Sequence, residues 1–439
     1  MQTGQISDAQ RLIRSAIAAS PADPQLLCLQ GDVLFRQSKF DQAEEAYRAA
    51  LTLSPRSARA HLGLGRLDQL RFRHKGAREH FVTAYHVDWR DPDIVLAYSR
   101  LVPDLEARKV LLRNFIALAP NEDRLQREDA LARLEMEERL GTRAPGTLDS
   151  PYKDYRLPLE SFFAPNGEAS GLLLKASINR GKPLRLLVDT GADGILVTSK
   201  AIRNLGLERL TQSQISGLGR QDAANGLVML ARTVEMDDFR LQDCVLQVVD
   251  GELAPGTDGI IGANVFQEFL IRLDARSKVL SLDPFSNRAE AAVRFSDPWL
   301  HYEGEACRAC DHLNPVFRVG HLLLLRARLD GRQDGYFLLD SGSAYSAISP
   351  NLASSWRGRT SHLVGARGSL DGASQLRPVR LDVGTARLAD FSPVSFDFSG
   401  MSRQEGVEIS GIVGFSAVSK AVVTINYRDG LVGFSSSVR

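Results

Sequence analysis

Two aspartates in this chain stand in the same local setting. Residues 186–194 read L-L-V-D-T-G-A-D-G and residues 337–343 read F-L-L-D-S-G-S, which places Asp340 151 residues after Asp189. Each carboxyl follows three apolar residues that ask for burial, and each precedes a hydroxyl residue and a glycine. A single carboxyl at the mouth of a buried strand is costly and has no evident use. Two brought together have one, because like charges about 3 Å apart share a single proton, leaving one base and one acid. Such a pair can take a proton from water while polarising a peptide carbonyl, and so hydrolyse an amide without metal or covalent intermediate. Asp189 and Asp340 are the candidate catalytic pair, and their titration belongs to the pair.

The surroundings repeat as well. L-L-L-K-A-S-I-N-R-G-K-P-L-R-L-L-V-D (172–189) sets without a gap against L-L-L-R-A-R-L-D-G-R-Q-D-G-Y-F-L-L-D (323–340). Both read as a strand, a polar turn and a second strand ending at the aspartate. Further on, D-G-I-I-G-A-N-V-F (258–266) sets against S-G-I-V-G-F-S-A-V (410–418). Gly259 follows Asp189 by 70 residues and Gly411 follows Asp340 by 71. These blocks, 259–262 and 411–414, would pack beneath each aspartate as its floor. Then comes a strand, a turn and a strand in both halves, I-R-L-D-A-R-S-K-V-L-S-L and V-T-I-N-Y-R-D-G-L-V-G-F. Two copies of one all-β lobe are expected, matching over about 110 residues and able to meet across a pseudo-two-fold axis. Gly191 and Gly342 would let the backbone turn tightly enough to present the carboxyls. Thr190 and Ser341 carry hydroxyls that can donate across the axis and lock the two loops.

In combination these motifs resemble the aspartic peptidases, over residues 158–439. D-T-G-A (189–192) and D-S-G-S (340–343), each completed by a hydrophobic-hydrophobic-glycine block, carry the likeness. The lobe length and Ala192 resemble retropepsin-like lobes more than pepsin, although two lobes share one chain as in pepsin. The resemblance implies two β-barrel-like lobes with a cleft between them, a protein or peptide substrate, no cofactor, and loop support from Thr190, Gly191, Ser341, Gly342 and Ser343. Asp193 matches a retropepsin position that binds substrate backbone; the second half has Ala344 there. The glycine-rich stretches 216–226 and 364–375 lie at matching distances past each aspartate and look like two flaps without a tyrosine, or else ordinary surface hairpins. Their glycines Gly217, Gly219, Gly365 and Gly368 are candidate substrate contacts. The halves differ at Ala192 and Ser343. A serine hydroxyl bonded to its carboxylate would favour ionisation there, so the shared proton is expected more on Asp189, with activity at milder acidity than pepsin.

Other chemistries find less support. Neither G-x-x-x-x-G-K nor D-K-T-G occurs, as phosphate-handling uses of D-T-G require. None of the eight histidines stands in a serine- or cysteine-peptidase signature. Only Cys307 and Cys310 of the four cysteines are close, as C-R-A-C near His301 and His312. That could be a redox pair, a disulfide or half a zinc site. No second CxxC completes a tetrahedral set, so no metal is expected, and inert thiols or a local disulfide fit better. Because fold does not imply function, a catalytically silent scaffold gripping an extended peptide is the alternative to an active endopeptidase.

The first part of the chain is built differently. Ala9, Ala43 and Ala77 are 34 apart, as are Ala16, Ala50 and Ala84, Gly31 and Gly65, and Pro21 and Pro55. Ile13, Tyr47 and Phe81 fall between the alanines, so small and bulky residues share one helical face. A 34-residue helix–turn–helix period resembles the tetratricopeptide repeat. Residues 24–57 and 58–91 fit it, 92–120 read as a shortened copy and 121–141 as a capping helix. Residues 1–21 match only the second helix of a repeat, so the solenoid starts half-formed or has lost sequence upstream. A protein partner on the concave face is the expected use.

The expected organisation is multidomain, an all-α tetratricopeptide-repeat solenoid followed by an all-β bilobal aspartic peptidase fold. It divides as repeats at 1–141, linker at 142–157, first lobe at 158–296, connector at 297–315 and second lobe at 316–439. At 439 residues the chain is too long for one core. With 54 Lys+Arg against 53 Asp+Glu, nothing favours nucleic acid or an anionic membrane as partner. No apolar run spans a bilayer and no signal peptide is visible in the given sequence. Location is therefore open, although relatives with this layout are commonly bacterial and periplasmic or secreted.

Overall fold

The computed structural model describes residues 3–119, 124–164, 167–215, 224–251, 253–254, 256–285, 313–353, 363–365, 368–370 and 374–435. The chain divides into two compact units, Met1–Glu137 with Phe398–Ile409, and Glu138–Asp397 with Ser410–Arg439.

The first unit is helical, as the 34-residue period predicts. Its helices are α1 (Thr3–Ala19), α2 (Pro24–Arg36), α3 (Phe40–Leu53), α4 (Ala58–Leu70), α5 (His74–Val87), α6 (Pro92–Ser99), α7 (Leu105–Leu118) and α8 (Arg124–Leu140). The period also governs features that packing alone does not specify. Asp23, Ser57 and Asp91, again 34 apart, cap α2, α4 and α6 by accepting from backbone amides of the first turn at 2.8, 3.3 and 2.9 Å. Ser38 and Phe72 make the turns inside successive helix pairs with left-handed φ values of 56° and 58°. Gly31 and Gly65 lie under the Tyr47 and Phe81 rings, where an added Cβ would come within 2.5 and 2.6 Å of ring carbons. Ala43, Ala50, Ala77 and Ala84 are wholly buried, so close helix approach is why small residues recur. Phe398–Ile409 clusters with these helices, and Ser38 Oγ donates to the Glu408 carbonyl at 2.8 Å.

The second unit is β structure in two matching halves. In the first, Ala169–Ile178 pairs antiparallel with Leu184–Asp189, which runs parallel to Gly259–Gly262. In the second, Leu322–Leu329 pairs antiparallel with Gln333–Leu339, which runs parallel to Gly411–Val413. Register agrees too: Leu186 stands opposite Gly259, and Phe337, 151 residues on, opposite Gly411. A third strand in each half, Ile195–Thr198 and Ala347–Ile348, lies antiparallel on the other side of the glycine block. The strands are buried on both faces, which is why they read as apolar runs instead of alternating.

The halves join through a shared sheet. The hairpin Phe269–Asp274 with Val279–Pro284 and the hairpin Val422–Asn426 with Leu431–Ser435 meet antiparallel along their first strands. Ile271 faces Ile425, Arg272 faces Thr424 and Leu273 faces Val423. Corresponding residues of the hairpins are 152 apart, so Arg272 pairs with its own counterpart and its neighbours pair reciprocally. A two-fold arrangement of equivalent strands requires that register. Residues 142–157 also enter the sheets: Thr147–Leu148 pairs with Phe239–Val249, and Tyr155–Phe163 pairs with Val279–Pro284 and Ala169–Ile178.

Candidate active site

Asp189 ends the strand Leu184–Asp189 and Asp340 follows the strand Gln333–Leu339. Leu186, Leu187 and Val188 on one side and Phe337, Leu338 and Leu339 on the other are at most 2% exposed. Burying those residues fixes where each strand stops, and that delivers the carboxyl. The glycine blocks lie alongside as expected: Asp189 is in register with Gly262, and the Asp340 amide donates to the Val413 carbonyl at 3.1 Å. A Cβ on Gly262 would run into the Ala192 carbonyl, and one on Gly414 into the carbonyls of Tyr345 and Ser343. Only glycine lets the floor approach the loops so closely.

The two loops grip each other through four hydrogen bonds. Thr190 Oγ1 donates to the Leu339 carbonyl at 2.8 Å and accepts from the Ser341 amide at 2.9 Å. Reciprocally, Ser341 Oγ donates to the Val188 carbonyl at 2.9 Å and accepts from the Thr190 amide at 3.1 Å. Both residues are buried, so every polar atom in the grip is satisfied by the opposite loop. Gly191 and Gly342 each lie in a tight turn, closed by the Ala192 amide on the Asp189 carbonyl and by the Ser343 amide on the Asp340 carbonyl, both at 3.3 Å, and neither adopts a positive φ. They are needed for space. A Cβ on Gly191 would lie 3.0 Å from Asp340 Cγ and 3.3 Å from Asp189 Oδ1, and one on Gly342 would collide with the Asp189 carboxyl.

The carboxyls are in hydrogen-bonding contact but not in equal surroundings. Asp340 is buried and Asp189 half-buried. Burial first, then the charge and hydrogen bond of Asp189, hold the Asp340 carboxyl well above the usual carboxylate range; amides of Ser343 and Gly342 offset this in part. The direction of this shift favours Asp340 as the protonated member, whereas the Ala192/Ser343 difference predicts Asp189. The Ser343 hydroxyl turns away and donates to the Tyr345 carbonyl at 2.9 Å, while its amide donates to Asp340 Oδ1 at 2.8 Å. On the other side the Gly191 amide donates to Asp189 Oδ1 at 2.7 Å. Each carboxyl thus has its own loop amide, and depth of burial is what distinguishes them.

The remaining candidates are placed as follows. Asp193 is exposed and accepts from Asn264 Nδ2 at 2.6 Å, and Asn264 Oδ1 in turn accepts from the Gly194 amide at 3.1 Å. Gly365 and Gly368 pair across the hairpin Leu363–Gly365 and Gly368–Leu370. In the first half, Glu208–Ile215 and Ala224–Met236 form the corresponding hairpin, and Gly217 and Gly219 lie outside the described residues. So do Cys307, Cys310, His301 and His312. Among the described residues, no three His, Cys, Asp or Glu side chains cluster as metal ligands would. None of the described helices is long and apolar enough to cross a membrane.

Three residues near the pair had no motif to announce them. Asn264 follows the first glycine block and ties it to the aspartate loop. Tyr427, 4% exposed in the turn after Val422–Asn426, has a hydroxyl with no hydrogen-bond partner among the described residues, and burial pushes its ionisation up. His321, half-buried at the turn before Leu322–Leu329, has Nε2 3.1 Å from the Gly191 carbonyl. Only Asn264 had a local signal, its place directly behind the G-I-I-G block.

Family models match a segment of each compact unit. Residues 174–265 match the aspartyl protease family model, and residues 1–58 and 28–81 match a tetratricopeptide repeat model. Among solved structures, the chain matches the crystal structure of an aspartic proteinase from Irpex lacteus with TM-score 0.42 and 10% identity, covering 64% of this chain and 97% of that one. No curated protein matches the chain.

Proposed function

We propose that the chain is an aspartic endopeptidase in which Asp189 and Asp340 activate a water, and in which the helical repeats recruit the substrate or a partner. One observation carries this reading: two carboxyls from matching loops touch, while a reciprocal hydroxyl–amide grip holds those loops. A peptide-binding scaffold would have no need for an acid pair that is costly to hold together. The matching strand order and register support descent of the two lobes from one retropepsin-like lobe by duplication.

In the working state Asp189 is ionised and Asp340 holds the proton. Asp189 takes a proton from water as the oxygen bonds to the peptide carbon, and Asp340 gives its proton to the carbonyl oxygen, forming a neutral tetrahedral diol. Collapse follows when Asp189 returns its proton to the amide nitrogen. The C–N bond breaks and Asp340 recovers a proton from a diol hydroxyl. Acid and amine leave, and the pair again holds one proton. Asp193, Gly217, Gly219, Gly365 and Gly368 are assigned to holding the substrate backbone.

The test is pepstatin-sensitive cleavage of a denatured protein between pH 3 and 7. Asp189→Asn and Asp340→Asn should each lower kcat about 10³-fold or more. Retained cleavage in either variant overturns the dyad. Absence of cleavage by the wild-type chain, with pepstatin still bound, would instead favour the scaffold.

A further inference from the structure

The two halves differ at one position that reaches the reacting loop. His321 stands two residues before the L-L-L-R-A-R-L segment, and its imidazole crosses from the second half to the Gly191 carbonyl. A carbonyl oxygen only accepts, so Nε2 carries the hydrogen. Gly191 is the residue whose amide binds Asp189 Oδ1, so the imidazole and the carboxylate hold the same glycine from opposite ends. The counterpart of His321, 151 residues earlier, is Ser170. Its hydroxyl is buried and has no hydrogen-bond partner among the described residues. The first half therefore sends no such arm to the Asp340 loop from this position.

We propose that His321 is a positioning residue of the dyad: it pins the Asp189 loop through the Gly191 carbonyl, and once protonated its charge keeps Asp189 the ionised member. The proposal rests on the peptidase reading of the dyad given above. Imidazoles take up a proton in mildly acid water, the range in which a carboxyl pair with one proton works. A cation beside the Asp189 loop stabilises the carboxylate of Asp189 over its protonated form. The charged and titratable groups around this corner are Asp189 and Asp193 on the loop, Arg318 on the strand leading to His321, and Tyr427 on the facing turn. Charge interactions link Arg318 to Asp193 and Tyr427, and Tyr427 to Asp189.

Glutamine places an amide N–H near the position of Nε2 without a titratable charge, so His321→Gln separates pinning from charge, and His321→Ala removes both. The measurements are the carboxyl carbon-13 titrations of Asp189 and Asp340, assigned with the two Asn variants, together with pH–rate profiles of cleavage. In His321→Gln the dyad should take up its second proton, and the acid limb should fall, at a pH higher by roughly half a unit to one unit. Its rate at neutral pH should stay within about twofold of wild type, whereas His321→Ala should lose about tenfold throughout. Superimposable titrations in wild type and His321→Gln would overturn the proposal. So would equal losses in both variants with an unshifted profile. Should wild type not cleave at all, the peptidase reading fails while the aspartate titrations still decide the role of His321. Should His321→Ala not fold, His321→Gln decides alone.

Discussion

The two β halves share one plan and divide one task. In both, a buried strand ends at an aspartate, runs parallel to a glycine block and sends a hydroxyl into the opposite loop. They part company around the carboxyls. Asp340 lies deep, whereas Asp189 is half-open, its loop held by His321 and by the Asn264 link at Gly194. A pair of identical subunits must give both carboxyls the same surroundings until substrate arrives. Two lobes in one chain can differ permanently, and here the two carboxyls differ in depth of burial.

The contrast can be broken hardest at the loop glycines. Gly342→Ala drives a methyl into the Asp189 carboxyl, and Gly191→Ala meets Asp340 less severely. Both should cut kcat, Gly342→Ala by about 10²-fold or more, since displacement of a reacting group by about 1 Å costs that much. Steady-state kinetics on folded protein check the order, and equal losses would deny the asymmetry. Next in size is the grip. Thr190→Val and Ser341→Ala each strand a buried carbonyl and a buried amide of the opposite loop, for about 2–3 kcal/mol apiece. Because the two hydroxyls serve one interlock, the double variant should lose less than the sum in urea unfolding.

A gentler probe is pH. Asp340 binds its proton more tightly folded than unfolded, so between its ordinary value of 3.8 and its raised folded value the native state holds a proton that the unfolded chain has lost. Stability from this group is full below that window and falls as pH rises through it. Asp340→Asn should flatten the decline in Tm. The smallest change tests the empty counterpart of His321. Ser170→Ala removes a buried hydroxyl without a partner and should raise stability by about 1 kcal/mol, leaving the rate unchanged.

Much of the plan was legible because strand, aspartate, hydroxyl and glycine are contiguous in sequence. The gapless match of 172–189 with 323–340 fixed the equivalence, and the structure places those segments in the same register. The place of the proton was not legible. It depends on relative burial, which residues distant in sequence determine, and the Ser343 hydroxyl that suggested otherwise found a nearer acceptor in Tyr345. His321 was hidden for a similar reason, since its partner lies 130 residues away and a lone histidine advertises nothing. The second demand on Gly191 and Gly342 was hidden because turn geometry is a local property, whereas the obstacle to a Cβ there is a side chain on the other loop. The helix caps Asp23, Ser57 and Asp91 share the 34-residue interval and could have been found by extending the comparison from small residues to polar ones.

The pairing of Arg272 with Thr424 has a consequence for the separated halves. An edge whose register maps onto itself is self-complementary, so a first half produced alone carries in Phe269–Asp274 a ready site for another copy of itself, centred on Arg272 against Arg272. In the intact chain the second half occupies that edge at high effective concentration, and covalent linkage of the halves thereby protects against promiscuous self-association.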